Sequence, residues 1–166
     1  AVLGIHPFEQ PDVEAAKQAT RKLTEAFERS GKLPSEAPFF EEDGIALFGD
    51  EKNVSALGKR SSLTEYLRAH LGRLDAGDYF AILAYIERNT AHESALQSIR
   101  HYVRDKKRAA TCLGFGPRFL HSTGQAYKGG PASGVFLQVT CDDAEDLPVP
   151  GHDYTFGVVK AAQARG

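Results

Sequence analysis

The sequence has no methionine, no tryptophan and only two cysteines in 166 residues. Two cysteines exclude a disulfide-built scaffold and any zinc site that needs four thiolates. An excess of charge is missing as well: 20 Lys and Arg stand against 22 Asp and Glu, a formal net charge of -2. The sequence therefore carries no electrostatic footprint for a nucleic acid or an anionic membrane. No apolar run approaches the ~20 residues that cross a bilayer, and no segment reads as a signal peptide. The missing methionine bears on the start of the chain. Ala1-Val2-Leu3-Gly4-Ile5 is already strand-like, which fits either a processed terminus or a piece of a longer protein. What is present, 42% hydrophobic and 25% charged residues, suits a buried core rather than disorder. A soluble, cytoplasmic protein of one domain, or one domain and a fragment, is expected.

The pattern along the chain alternates strand and helix. After the apolar start, His6 to Pro11 holds two prolines that forbid regular structure, and Pro11 suits the first position of a helix. Val13, Ala16, Thr20, Leu23 and Phe27 then make one helical stripe that ends at Ser30-Gly31. Residues 39–43 read as a mixed surface stretch, Gly44 to Gly49 as a short strand, and 51–60 as a linker. Ser62-Leu63-Thr64-Glu65 and Thr90-Ala91-His92-Glu93 are capping boxes, each opening a helix; in the second, Leu96, Ile99 and Val103 are expected inward. Tyr79–Ile86, Ala109–Phe115 and Val135–Cys141 are apolar runs of the kind found in central strands. A short helix is expected over 118–127 and a last one from about Tyr154. The fold class that follows is α/β, layered α/β/α with a mostly parallel sheet.

Two constellations carry candidate chemistry. Lys17 follows Val13 by four residues, so its stem is expected to start on the packed face of the first helix, with the ammonium either snorkelling to solvent or entering a cleft. Gln10, just before that helix, is placed to hydrogen-bond a polar ligand. Further on, the strand ending at Phe115, the turn Gly114-Phe115-Gly116-Pro117 and a helix start form a candidate anion cradle, with His121 and Lys128 as contacts. The plain alternative there is a Gly-rich connection whose polar residues cap and face water. Cys112 and Cys141 read as core thiols, the histidines lack metal spacing, and the acidic loop 142–146 reads as a solvated turn.

Gly4-Ile5-His6-Pro7-Phe8-Glu9-Gln10-Pro11-Asp12-Val13-Glu14-Ala15-Ala16-Lys17 resembles the C-terminal active-site signature of phosphoglucose isomerases. That signature runs Asn-Pro-Phe-Asp-Gln-Pro-Gly-Val-Glu, with a Lys three residues after the Glu. Here Glu9 stands for the usual Asp and Asp12 for the usual Gly. The stretch from Gly116 to Pro131, containing Arg118-Phe119-Leu120-His121-Ser122-Thr123-Gly124-Gln125, is similar to one in bifunctional transaldolase/glucose-6-phosphate isomerase fusions. Tyr154 to Gln163 continues that likeness, in the same order as in the fusions.

The resemblance implies a sugar-isomerase (SIS)-like fold. It implies that residues 1–50 end the isomerase catalytic domain, that 51–60 link, and that 61–166 form a smaller α/β domain. It implies aldose–ketose isomerisation of glucose-6-phosphate without a cofactor, with Lys17 as the acid/base or ring-opening residue and Gln10 as a phosphate contact. The base and the phosphate loop of that family match nothing in this sequence. They would lie upstream, together with a transaldolase, so the isolated chain is expected to be inactive. The implied partners are a sugar phosphate, those upstream segments and a homo-oligomeric copy, with no nucleic acid and no membrane. The other reading is a non-catalytic sugar-phosphate-binding or subunit-assembly module.

Overall fold

The computed structural model describes Gly4, His6, residues 11–120 (of Leu120 the backbone only) and residues 124–166. The strand expected at 2–5 lies almost wholly outside the described residues. Helix α1 spans Pro11–Ser30, with Asp12 and Glu14 in its first turn and Arg29 in its last, each placed to suit the helix dipole. It ends at Gly31, whose positive φ of 67° lets its N–H reach the Phe27 carbonyl at 2.7 Å. The expected stripe is the inward one: Val13 is buried, and Ala16, Thr20, Leu23 and Phe27 are half-buried.

Residues 39–47 depart from expectation. Strands β1 (Phe40–Glu42) and β2 (Ile45–Leu47) pair antiparallel as a hairpin. Its two turn residues, Asp43 and Gly44, both have positive φ, at 49° and 77°. That is the geometry an Asp-Gly turn favours, because it matches the twist of the flanking strands. Phe39 and Phe40 close around the Tyr66 ring at 5.3 and 4.8 Å, and Glu42 accepts a 2.7 Å hydrogen bond from the Leu63 amide. The hairpin thereby covers the start of the next long helix. Residues 51–57, read in the sequence as part of a linker, are helix α2 (Glu51–Leu57). Asp50 caps it by accepting from the Asn53 amide at 3.0 Å, and Leu57 is buried.

Helix α3 (Leu63–Leu71) has the expected Ser62 cap, which accepts from the Glu65 amide at 3.2 Å, but the Glu65 carboxylate reaches back past the cap and accepts from the Ser61 amide at 2.9 Å. Helix α4 (Thr90–Lys107) is capped one residue earlier than expected, by Asn89, whose side chain accepts from His92 at 2.8 Å. Asparagine accepts that amide better than threonine does. Leu96 and Val103 face inward, but Ile99 is exposed on the flank of the stripe.

The main sheet has three parallel strands in the order β4-β3-β5: β3 is Tyr79–Tyr85, β4 Ala110–Phe115 and β5 Gly134–Thr140. Phe80, Ile82 and Ala84 join Leu74, Leu96, Val103 and Val135 in one core cluster. Ala81 and Tyr85 point the other way and are equally closed off. On that second side the Tyr85 hydroxyl donates to the Gln163 carbonyl of α6 (Phe156–Arg165) at 3.1 Å, and burial pushes its pKa up to about 12. Helix α1 lies along α6 and touches α5 (Gln125–Gly129). Contacts thus cross the boundary expected at 51–60 from both directions. The segment 118–127, expected as one short helix, has a 3₁₀ turn at Arg118–Leu120 and then α5, with 121–123 outside the described residues. No helix among the described residues is long and apolar enough to cross a membrane.

Two outcomes follow for stability. Ile82 is fully buried and Ile99 is not, so urea unfolding of Ile82→Ala should show a loss of about 2–5 kcal/mol, and Ile99→Ala no more than about 1 kcal/mol. His70, on α3, has its Nε2 2.8 Å from the Phe136 carbonyl of edge strand β5. Burial lowers its pKa, the hydrogen bond to Phe136 opposes this, and the Arg73 charge adds to the lowering. A folded pKa below the unfolded value means the unfolded chain takes up the proton first. The His70 contribution is therefore complete above about pH 6.5 and is lost as pH falls through the lowered folded value. Urea midpoints between about pH 7.5 and about pH 5.5 should fall for the native chain and fall less for His70→Gln.

Candidate functional site

The first helix presents its signature residues differently from expectation. The stripe of α1 centres near Ala16 and Phe27, and at ~3.6 residues per turn Lys17 lies about a quarter-turn away. Its side chain is 59% exposed and its ammonium is 3.6 Å from the Glu14 carboxylate, one turn earlier. Lys17 thus starts on the flank and faces solvent, not on the packed face. Gln10 and His121 lie outside the described residues.

The residue that turns inward is Asp12. Its Oδ2 accepts a 2.6 Å hydrogen bond from the Gln125 amide nitrogen, across 113 positions of sequence. The same carboxylate fills the space above Gly129: a Cβ at Gly129 would stand 2.1 Å from Asp12 Oδ2. Lys128, between those two, is half-buried. Burial lowers its pKa and the nearby Asp12 charge pulls it back up. The amide oxygen of Gln125 is closed from solvent and has no hydrogen-bond partner among the described residues. Sequence reasoning placed Asp12 in the first turn only as a dipole-matching acid. Its pairing with Gln125 depends on a long-range contact that no local pattern encodes.

The expected anion cradle at 114–131 is not built by a long helix, since α5 has five residues and no side-chain cap. Beside it, at the carboxyl ends of β3 and β4, lies a cleft of about 300 Å³. Its walls come from the stretch after β3, the first turns of α4, the end of β4, the 3₁₀ turn and α5. Arg88 donates through Nε and Nη2 to the two oxygens of Glu93, both at 3.3 Å, and its guanidinium lies 5.6 Å over the Phe115 ring. Arg118 is exposed and has no ion pair or hydrogen bond among the described residues. Tyr127 closes the floor, packed against Tyr79 and Phe136 at 5.9 and 5.5 Å. Burial, reinforced by the Cys112 thiol, drives its hydroxyl pKa far above the ordinary value. Lys128 is not on the cleft wall. Neither Arg88 nor Arg118 stood out in the sequence, because single arginines in loops have no spacing to read.

The remaining candidates resolve simply. Cys112 is half-buried in β4, whereas Cys141 is exposed, because β5 ends at Thr140 and leaves it in the following loop. In that loop Asp146 accepts from the Gly157 amide at 2.7 Å at the start of α6, and Asp143 pairs with Lys160. No group of three His, Cys, Asp or Glu side chains among the described residues is arranged to hold a metal ion.

The Asp12–Gly129 contact is testable. Gly129→Ala should cost about 1–3 kcal/mol in urea unfolding, although alanine is ordinarily the better helix residue. Asp12→Gly in the same background should recover much of that loss, so that a double-mutant cycle is non-additive. Compared with known proteins, the chain matches no family model, no curated protein and no solved structure.

Proposed function

We propose that residues 1–166 are the C-terminal part of a glucose-6-phosphate isomerase of the transaldolase-fused kind, with a sugar-isomerase (SIS)-like fold. The observation that carries this reading is a convergence. The two stretches that resemble that family, one at 4–17 and one at 116–131, meet at the 2.6 Å Asp12–Gln125 hydrogen bond. The contact supports the reading by bringing the two stretches together, through Asp12, the residue at which the first stretch departs from the signature's Gly.

The chemistry moves a proton between C1 and C2 of the sugar through an enediolate. It needs a base, a group that opens the ring, and donors for the enediolate and phosphate oxygens. Lys17 supplies a solvent-accessible ammonium on the outer face of α1, tethered by Glu14, where it can meet a ring oxygen or hydroxyl. Gln10 contributes a phosphate contact. The base and the phosphate loop come from upstream segments of the parent chain, so the fragment alone is inactive. The reaction uses no cofactor; the partners are the sugar phosphate, the upstream isomerase and transaldolase segments and a homo-oligomeric copy, in the cytoplasm.

A coupled assay for fructose-6-phosphate conversion tests this. In the parent protein, Lys17→Ala should lower turnover on the order of 10²–10⁴-fold at unchanged melting temperature, and the isolated chain should show none. Unchanged activity in the variant would remove Lys17 from the mechanism, and turnover by residues 1–166 alone would overturn the fragment reading.

A further inference from the structure

The cleft at the carboxyl ends of β3 and β4 has no part in the chemistry assigned to Lys17. It nonetheless sits where open parallel sheets place their ligands, outside the carboxyl ends of the strands. Among the described residues that line it, two arginines, Arg88 and Arg118, stand against one carboxylate, Glu93, and that carboxylate is already held by two N–H groups of Arg88. Among the described residues nothing takes the Nη1 of Arg88 or any part of the Arg118 fork. An arginine fork is matched by an oxyanion, and a phosphate ester offers several oxygens to share between two such groups. Glu93, an acceptor only, offers its spare lone pairs to hydroxyl donors. Phe115 and Tyr127 give the carbon frame an apolar surface to lie on. A volume of about 300 Å³ is at the small end for ligand sites, so it suits a single sugar-sized skeleton and not a dinucleotide.

We propose that this cleft is a binding site for a small phosphorylated polyol, held at its phosphate by Arg118 and Arg88 and at its hydroxyls by Glu93. It is separate from the Lys17 site, and it stands whether or not the isomerase reading holds. The proposal is of a recognition site and assigns no reaction to it.

The test is calorimetric titration of the 166-residue chain with glucose 6-phosphate, glucose and inorganic phosphate. Saturable binding of glucose 6-phosphate is expected, weaker binding of phosphate, and none of glucose. Arg118→Ala should weaken glucose 6-phosphate binding roughly 10–100-fold, with Arg118→Lys in between. Because Arg118 is exposed, the melting temperature of the unliganded Arg118→Ala chain should not change. The proposal is overturned if glucose 6-phosphate does not saturate, if phosphate alone binds as tightly, or if Arg118→Ala leaves affinity intact. It is equally overturned if Lys17→Ala is the variant that loses binding, a result that would leave the isomerase reading standing.

Discussion

Phe80, Ile82 and Ala84 on one side of β3, and Ala81 and Tyr85 on the other, are shut away from solvent almost completely. A strand buried on both faces is stable only if neighbours take its hydrogen bonds and helices cover its two sides. That requirement organises the molecule. β4 and β5 take the two edges in parallel register, which forces long connections between strands. One connection is α4, whose Leu96 and Val103 fill the first face. The second face is reached by α6 through Gln163, and α1 then lies along α6. The candidate sites are consequences of that order, since the cleft opens where β3 and β4 end and the Asp12 junction forms where α1 meets α5.

Burial of this kind writes itself into sequence, and β3 was legible for that reason: an unbroken apolar run this short, with aromatic residues at both ends, suits a strand covered on both faces. The inward stripes of α1 and α4 were legible by period. Their edges were not. Lys17 and Ile99 both lie on the flank of a stripe, where one quarter-turn decides between core and solvent and the periodicity gives only the middle. Short elements were harder still. Helix α2 has two turns, too few to show a period, and its only signal is Asp50 three residues before Asn53. The hairpin did carry a signal, the Asp43-Gly44 pair, which outweighs the charged residues around it because both positions take positive φ.

The sites divide along the same line. Lys17, expected on the packed face, stands on the flank of its helix, and Lys128, expected in the anion cradle, lies near Asp12 rather than on the cleft wall. Asp12, Gln125, Arg88 and Arg118 acquire meaning only once the chain is folded, because each acts on a partner or a space supplied by a distant segment. The Asp12–Gln125 bond is part-buried and charge-assisted, the class of hydrogen bond that contributes most when its partner is fixed. It joins the two stretches on which the proposed function rests, and that proposal needs the junction to be a real structural joint.

Hydrogen exchange on the Gln125→Ala chain measures this most directly. If the joint holds α1 in place, amides in the first turns of α1, around Val13 to Lys17, should exchange faster than in the native chain while those of β3 keep their protection. Unchanged exchange throughout α1 would contradict the account, because Asp12 would then hold nothing to α5.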